Sequence, residues 1–168
     1  MKKIWIILII TLLLVGCSQS TDEGNTILAR GPVSTVEAYE MFLEEYEDWS
    51  VRTMLYITKD EKYQIYGYAD DLEVVIDVFK DGGKLERIEV RDLMDMNESS
   101  DVMLHVIELI DQVVENVLNI HSQSHLIKWQ VSELDEIFIL DVHLSSDDSD
   151  EMSYKYDLLK QELITIDQ

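Results

Sequence analysis

The chain has 168 residues, with 13 lysines and arginines against 35 aspartates and glutamates, a formal charge of -22 and a single cysteine, Cys17. So strong a negative charge repels phosphate backbones and anionic lipid, which excludes nucleic acid as a partner and a body lying flat on a membrane surface. One cysteine allows no intrachain disulfide and no cysteine metal cluster.

The first residues set the context for the rest. Lys2 and Lys3 form a short basic region, and Ile4 to Val15 is an apolar run interrupted only by Thr11, too short for a comfortable permanent span. Leu14, Val15, Gly16 and Cys17 follow in order, with a small residue just before the cysteine. This tetrapeptide resembles the lipobox of bacterial lipoproteins. The resemblance implies that the Cys17 thiol takes a diacylglycerol and that the signal is cut just before it, which leaves no free thiol for nucleophilic chemistry. Two fatty chains, at roughly 0.8 kcal/mol per buried methylene, give the stable anchorage that one chain cannot. On this reading residues 1–16 are a signal peptide, 17–33 are the lipidated cysteine and a flexible tether, and 34–168 are a single acidic α+β domain. Removing Lys2 and Lys3 leaves 11 basic against 35 acidic side chains, or -24.

Ser18 to Gly31 is polar and poor in apolar residues, and Pro32, the only proline, closes it. Ser34-Thr35-Val36-Glu37 is a capping-box pattern that predicts a helix start. Val36, Tyr39, Phe42, Leu43, Tyr46 and Trp49 then form an apolar stripe, while Glu37, Glu40, Glu44 and Asp48 form an acidic one. From Val51 the period becomes two. Val51 to Thr58, Lys62 to Ala69, Leu72 to Phe79 and Lys84 to Arg91 are predicted strands, separated by turns too short for a crossover helix, so neighbours must be antiparallel. In the last of these turns Gly82 and Gly83 are expected to supply the positive φ angles of a tight hairpin.

Ser99 or Ser100 is placed to cap a second helix, with Asp101 in its first turn. Met103, Val106, Ile107, Ile110, Val113, Val114, Val117 and Leu118 make its apolar face, which ends between Ile120 and His125. Leu126 to Leu134 is ambiguous between strand and loop. Glu136 to Leu144 and Met152 to Leu158 alternate as strands, and Leu163 to Ile166 offers a last short one. The predicted fold is α+β, with two amphipathic helices packed on a largely antiparallel sheet of about six or seven strands. The order also suggests two related α-then-β halves, without a residue-level repeat.

Several side-chain constellations bear on chemistry. His121 and His125, four apart, would share a face on a continued helix, but Ser122 stands where a zincin glutamate is needed. Asp147, Asp148, Asp150 and Glu151 make an acidic hairpin loop without the spacing or glycine of an EF-hand, and Asp92, Asp95, Asn97 and Glu98 also miss that pattern. There is no G-x-S-x-G elbow and no glycine-rich phosphate loop. Tyr56, Tyr63, Tyr66, Tyr68 and Phe79 crowd the first meander. If the helices cover only one face of the sheet, the other displays aromatics rimmed by acids, a composition suited to peptide binding.

These readings converge on a non-enzymatic, lipid-anchored binding module with no cofactor and no metal. Its expected partners are membrane lipid, through Cys17, and either a cationic peptide or an envelope protein. The candidate contact residues are Glu40, Glu44, Asp48, Tyr66, Tyr68, Asp147, Asp148, Asp150 and Glu151. In size, anchor and charge the chain is similar in general plan to the small immunity lipoproteins of lantibiotic producers, which implies interception of cationic peptides near the bilayer. The alternatives are an envelope assembly factor docking on another membrane protein and, behind it, a metal-dependent hydrolase.

Overall fold

A computed structural model describes residues 32–92, 101–146 and 151–167. The expected signal peptide, Cys17, most of the expected tether, Ser99, Ser100, Asp95, Asn97, Glu98, and the loop residues Asp147, Asp148 and Asp150 lie outside the described residues.

Helix α1 runs from Thr35 to Glu45, and its start is the predicted capping box: the Ser34 hydroxyl accepts from the Glu37 amide, and Glu37 Oε2 accepts from the Ser34 amide at 2.8 Å. Ala38, Tyr39 and Phe42 are buried on one side, while Glu40 and Glu44 are exposed on the other. Strands β1 (Ser50–Ile57), β2 (Lys62–Ala69), β3 (Leu72–Phe79) and β4 (Leu85–Asp92) follow as an antiparallel meander close to the predicted spans. Only Gly83 has a positive φ, 62°, in the β3–β4 turn; Gly82 is not needed for that purpose.

Helix α2 (Leu104–Ile120) starts later than Ser99, Ser100 and Asp101 suggest, and its N-cap is Met103 without a side-chain cap bond. The reason lies one residue earlier. Val102 is buried and its amide donates to the Val51 carbonyl at 2.6 Å, so the chain stays extended against β1 until it has been docked. The helix ends at Ile120, and β5 (Ser124–Leu134) begins three residues beyond His121. Strands β6 (Ile137–Ser146), β7 (Glu151–Asp157) and β8 (Glu162–Asp167) complete a second meander.

The expected sheet of six or seven strands is overturned. All eight strands form one antiparallel sheet in the order β4-β3-β2-β1-β5-β6-β7-β8, and strands account for 53% of the described residues against 25% for helices. The strand that was hard to see is β5. Its pairing with β6 shifts register between Leu126 and Lys128, which breaks the alternation, and only Trp129 and Val131 along it are buried. The tight β5–β6 turn was equally hidden, because Asp135 and Glu136 take its positive φ angles, 51° and 64°, without a glycine.

The order is symmetrical. Each half is a helix followed by a four-stranded meander, and the first strands of the two meanders, β1 and β5, pair antiparallel at the centre. Both helices pack on one face, against each other and against β2, β5 and β6. The core lies beneath them: Met54, Ile65, Ile76, Val131 and Leu140 sit directly opposite one another across five strands and are fully buried. Tyr56, Tyr63 and Trp129 form a ring cluster beside this row, with centroids 5.0 to 6.3 Å apart. The Tyr63 hydroxyl donates to the Val33 carbonyl at 3.1 Å, which fastens the entry of α1 to the sheet.

Phe42 of α1 fills the space above Gly67 of β2. A Cβ at position 67 would lie inside the surface of the Phe42 ring. Gly67→Ala is therefore expected to destabilise the domain by about 1–3 kcal/mol in equilibrium denaturation, and the loss should shrink in a Phe42→Leu background. Burial raises the phenols of Tyr39 and Tyr63 from 10.0 to about 12, with Asp101 adding to the rise at Tyr39. A folded-state value above the unfolded one contributes stability that is complete below pH 10 and is lost as pH climbs through 12. Ultraviolet titration should show these two tyrosines ionising last, with stability falling across that interval.

Candidate functional site

Alternation along each strand divides the sheet into a helix-covered face and an opposite face over which no described element lies. On the open face a row of directly opposed residues crosses all eight strands: Glu86, Asp77, Gln64, Leu55, Gln130, Asp141, Lys155 and Thr165. A parallel row carries Glu89, Val75, Tyr66, Thr53, Ser132, Ile139, Asp157 and Glu162.

Charged pairs stiffen this surface. Glu73 on β3 is 0% exposed and lies between Arg52 of β1 and Arg91 of β4, with Arg91 Nε 2.5 Å from Glu73 Oε2 and Arg52 on the other oxygen. Burial, then repulsion from Arg91, lowers the pKa of the Arg52 guanidinium. Asp77, 3% exposed, accepts from Lys62 Nζ at 2.5 Å and from Gln64 Nε2 at 2.8 Å, and the Tyr66 hydroxyl donates to Gln64 Oε1 at 2.8 Å. The two carboxylates tolerate burial because each is hydrogen-bonded to a cation. In the other half, Lys155 pairs with Asp167 at 2.7 Å, a bond that raises the ammonium pKa. The β7–β8 turn is closed by Lys160, whose ammonium and amide both donate to Asp157 and lower the pKa of that carboxyl.

Where the two halves meet, Arg52, Thr53, Leu55, Tyr66 and Gln130 line a shallow hollow. Gln130 is shared with a second hollow that runs on across Ser132, Ile139, Asp141 and Lys155. The result is a continuous, mixed polar and apolar track over β2, β1, β5, β6 and β7. A serine, a histidine and an aspartate also sit together here, but their bonding is wrong for a catalytic triad. The Ser153 hydroxyl donates to Asp141 Oδ1, and His143 Nε2 faces that same oxygen at 3.3 Å, so the imidazole is not placed to take the serine proton. His121 and His125 are divided by the end of α2, with the His121 ring tilted against that of Tyr154, centroids 4.6 Å apart. Among the described residues no group of three or more His, Cys, Asp or Glu side chains is arranged to hold a metal ion.

The sequence-predicted contact residues fall on separate surfaces. Tyr66 and Tyr68 lie on the open face, Tyr68 directly opposite Glu73. Glu40 and Glu44 are on the outer side of α1 and Asp48 just beyond its end, so the sheet separates them from the tyrosines. Glu151 is exposed at the start of β7. What the sequence did not mark are Arg52, Gln130 and the buried pair Glu73 and Asp77. Glu73 and Asp77, four apart and on the same face of an otherwise apolar strand, were the available signal. Charge is divided between the layers as well: neither helix contains a lysine or arginine, whereas Arg52, Lys62, Arg91, Lys128 and Lys155 all rise from the open face.

No protein-family model matches the chain, and no curated protein matches it. The fold has a solved counterpart. It is a candidate lipoprotein of Clostridium difficile 630, similar to this chain with a TM-score of 0.63 over 84% of this chain and 97% of that one. At 14% identity the likeness is one of fold. Among the described residues, no helix is long and apolar enough to cross a membrane.

Glu73→Ala would leave two guanidiniums facing one another without the carboxylate between them. Because Arg91 is half exposed, the expected destabilisation lies at the lower end of roughly 3–5 kcal/mol, measured by thermal or chemical denaturation. Glu73→Gln, which keeps a hydrogen-bond acceptor, should lose less.

Proposed function

We propose that this chain is a lipoprotein exported and anchored through diacylglycerol on Cys17, which serves as a non-enzymatic binding module on the extracytoplasmic side of the cell membrane. The observation that carries the binding role is the open face: a rigid eight-stranded platform with a central hollow and no described element over it. A surface of paired charges interleaved with Leu55, Tyr66 and Ile139 suits the mixed surface of another envelope protein better than a small substrate. The lipobox-like Leu14 to Cys17 supports the anchor, and the shared fold of the Clostridium difficile candidate lipoprotein is in keeping with it.

The division of charge favours a second reading, capture of cationic peptides on the helix layer. There Glu40, Glu44, Glu45, Glu108 and Glu115 are exposed on helices that contain no lysine or arginine. Such steering is long-ranged and salt-sensitive.

Cys17→Ser should move the protein from the membrane to the soluble fraction and abolish labelling by radioactive fatty acid; unchanged membrane retention would remove the anchor from this account. A photo-crosslinker at Thr53 should then give a discrete protein adduct in intact membranes, where one at Glu108 gives none. Adducts with basic peptides at Glu108 that fade as salt rises would instead select the second reading.

A further inference from the structure

The two edges of the sheet are defended very differently. At one edge β4 alternates charge along its length, with Glu86, Arg87, Glu89, Arg91 and Asp92 in eight residues. That is the usual means by which an edge refuses another strand. At the other edge β8 reads Glu-Leu-Ile-Thr-Ile-Asp, with no lysine, arginine or proline. Leu163, Ile164 and Ile166 are 46%, 51% and 47% exposed.

The covering layer also stops short here. Leu163 and Ile166 lie opposite Tyr156 and Tyr154, so they belong to the helix-covered face, yet α2 packs on β5 and β6. Ile120, at the end of α2, is left 71% exposed. Between α2 and β7 a hollow lined by Val113, Asn116, Asn119, Ile120, Tyr156 and Gln161 opens beside the edge. An added strand would find along β8, over a length of about 20 Å, backbone groups that no other described strand pairs, and a recess beside them for an apolar side chain.

We infer that β8 is a strand-acceptor edge, which pairs with an extended segment of a partner protein that has apolar residues at alternate positions and lysine or arginine at its ends. Charge selects this occupant over a second copy of the chain. An antiparallel β8 pair about Ile164 and Thr165 brings Glu162 opposite Asp167 at both ends, and each body carries a formal charge of -22. A basic-flanked segment instead meets Glu162 at one end and, at the other, Asp167, which already holds Lys155 at 2.7 Å, so the charge selection rests on Glu162 and on the net charge of the body. This inference concerns a different surface from the open face, so either can fail without the other.

The test uses the full chain in detergent and a synthetic peptide of four valines alternating with threonines between paired lysines. Two controls accompany it: the same peptide with two threonines replaced by proline, and one flanked by aspartates. Binding of the lysine-flanked peptide should protect the amides of Leu163 to Asp167 from hydrogen exchange, and affinity should drop at least tenfold for either control. Ile164 sits at the β7–β8 register shift, so its replacement spares the ladder. Ile164→Lys and Ile164→Asp should each cost at least tenfold with unchanged Tm, while Ile88→Lys on β4 should cost nothing. Three results would overturn the inference: equal binding of the proline peptide, loss with Ile164→Lys but not Ile164→Asp, which signals charge alone, or β8 protection from a concentration-dependent dimer without peptide.

Discussion

The antiparallel pairing of β1 with β5 is the contact on which the molecule depends. Each half by itself is a helix over a four-stranded sheet, whose first strand would present an uncovered edge. Joining those edges removes two unpaired rows of backbone groups and brings Met54 against Val131 and Tyr56 against Trp129 under the helices. The same joint creates the central hollow, because Arg52, Thr53 and Leu55 come from one half and Gln130 from the other. Neither half contains that feature alone.

Covering only one face has electrostatic consequences. The helices carry carboxylates with no lysine or arginine, so their outer surface is a source of negative potential. On the open face Glu73, Asp77, Asp157 and Asp167 are each hydrogen-bonded to an arginine or a lysine, which fixes their geometry. Glu73 and Asp77 are the clearest case, since their burial is tolerated only because cations from neighbouring strands reach them. The helix side is thus predominantly acidic, with Arg87 beside Tyr46 and Lys80 over the Tyr56 ring as its basic exceptions, and the opposite face is held by ion pairs.

Much of this was legible in the residues. The capping box of Ser34 and Glu37, the apolar stripes of both helices and the first meander appear where local spacing places them, because capping and amphipathicity are properties of neighbouring residues. The start of α2 was not legible, since it is displaced by a bond between Val102 and Val51, two residues far apart in the chain. Strand β5 was obscured by its register shift near Ile127 and by polar residues that belong on an open face. Of the candidate site, Tyr66 and Tyr68 were found, but their separation from Glu40, Glu44 and Asp48 by the thickness of the sheet was not foreseeable from periodicity.

The sequence by itself determined the charge, the single cysteine, the two helices and the antiparallel character of consecutive strands, all of which follow from composition, from motifs or from loops too short to cross over. Tertiary structure alone decided that the two meanders fuse into one eight-stranded sheet, that no described element covers its second face, and which carboxylates lie buried there. Period-two alternation reports which side chains share a face; it does not report what packs on that face. That outcome is set by pairing between distant strands and by how far two helices can reach across eight of them.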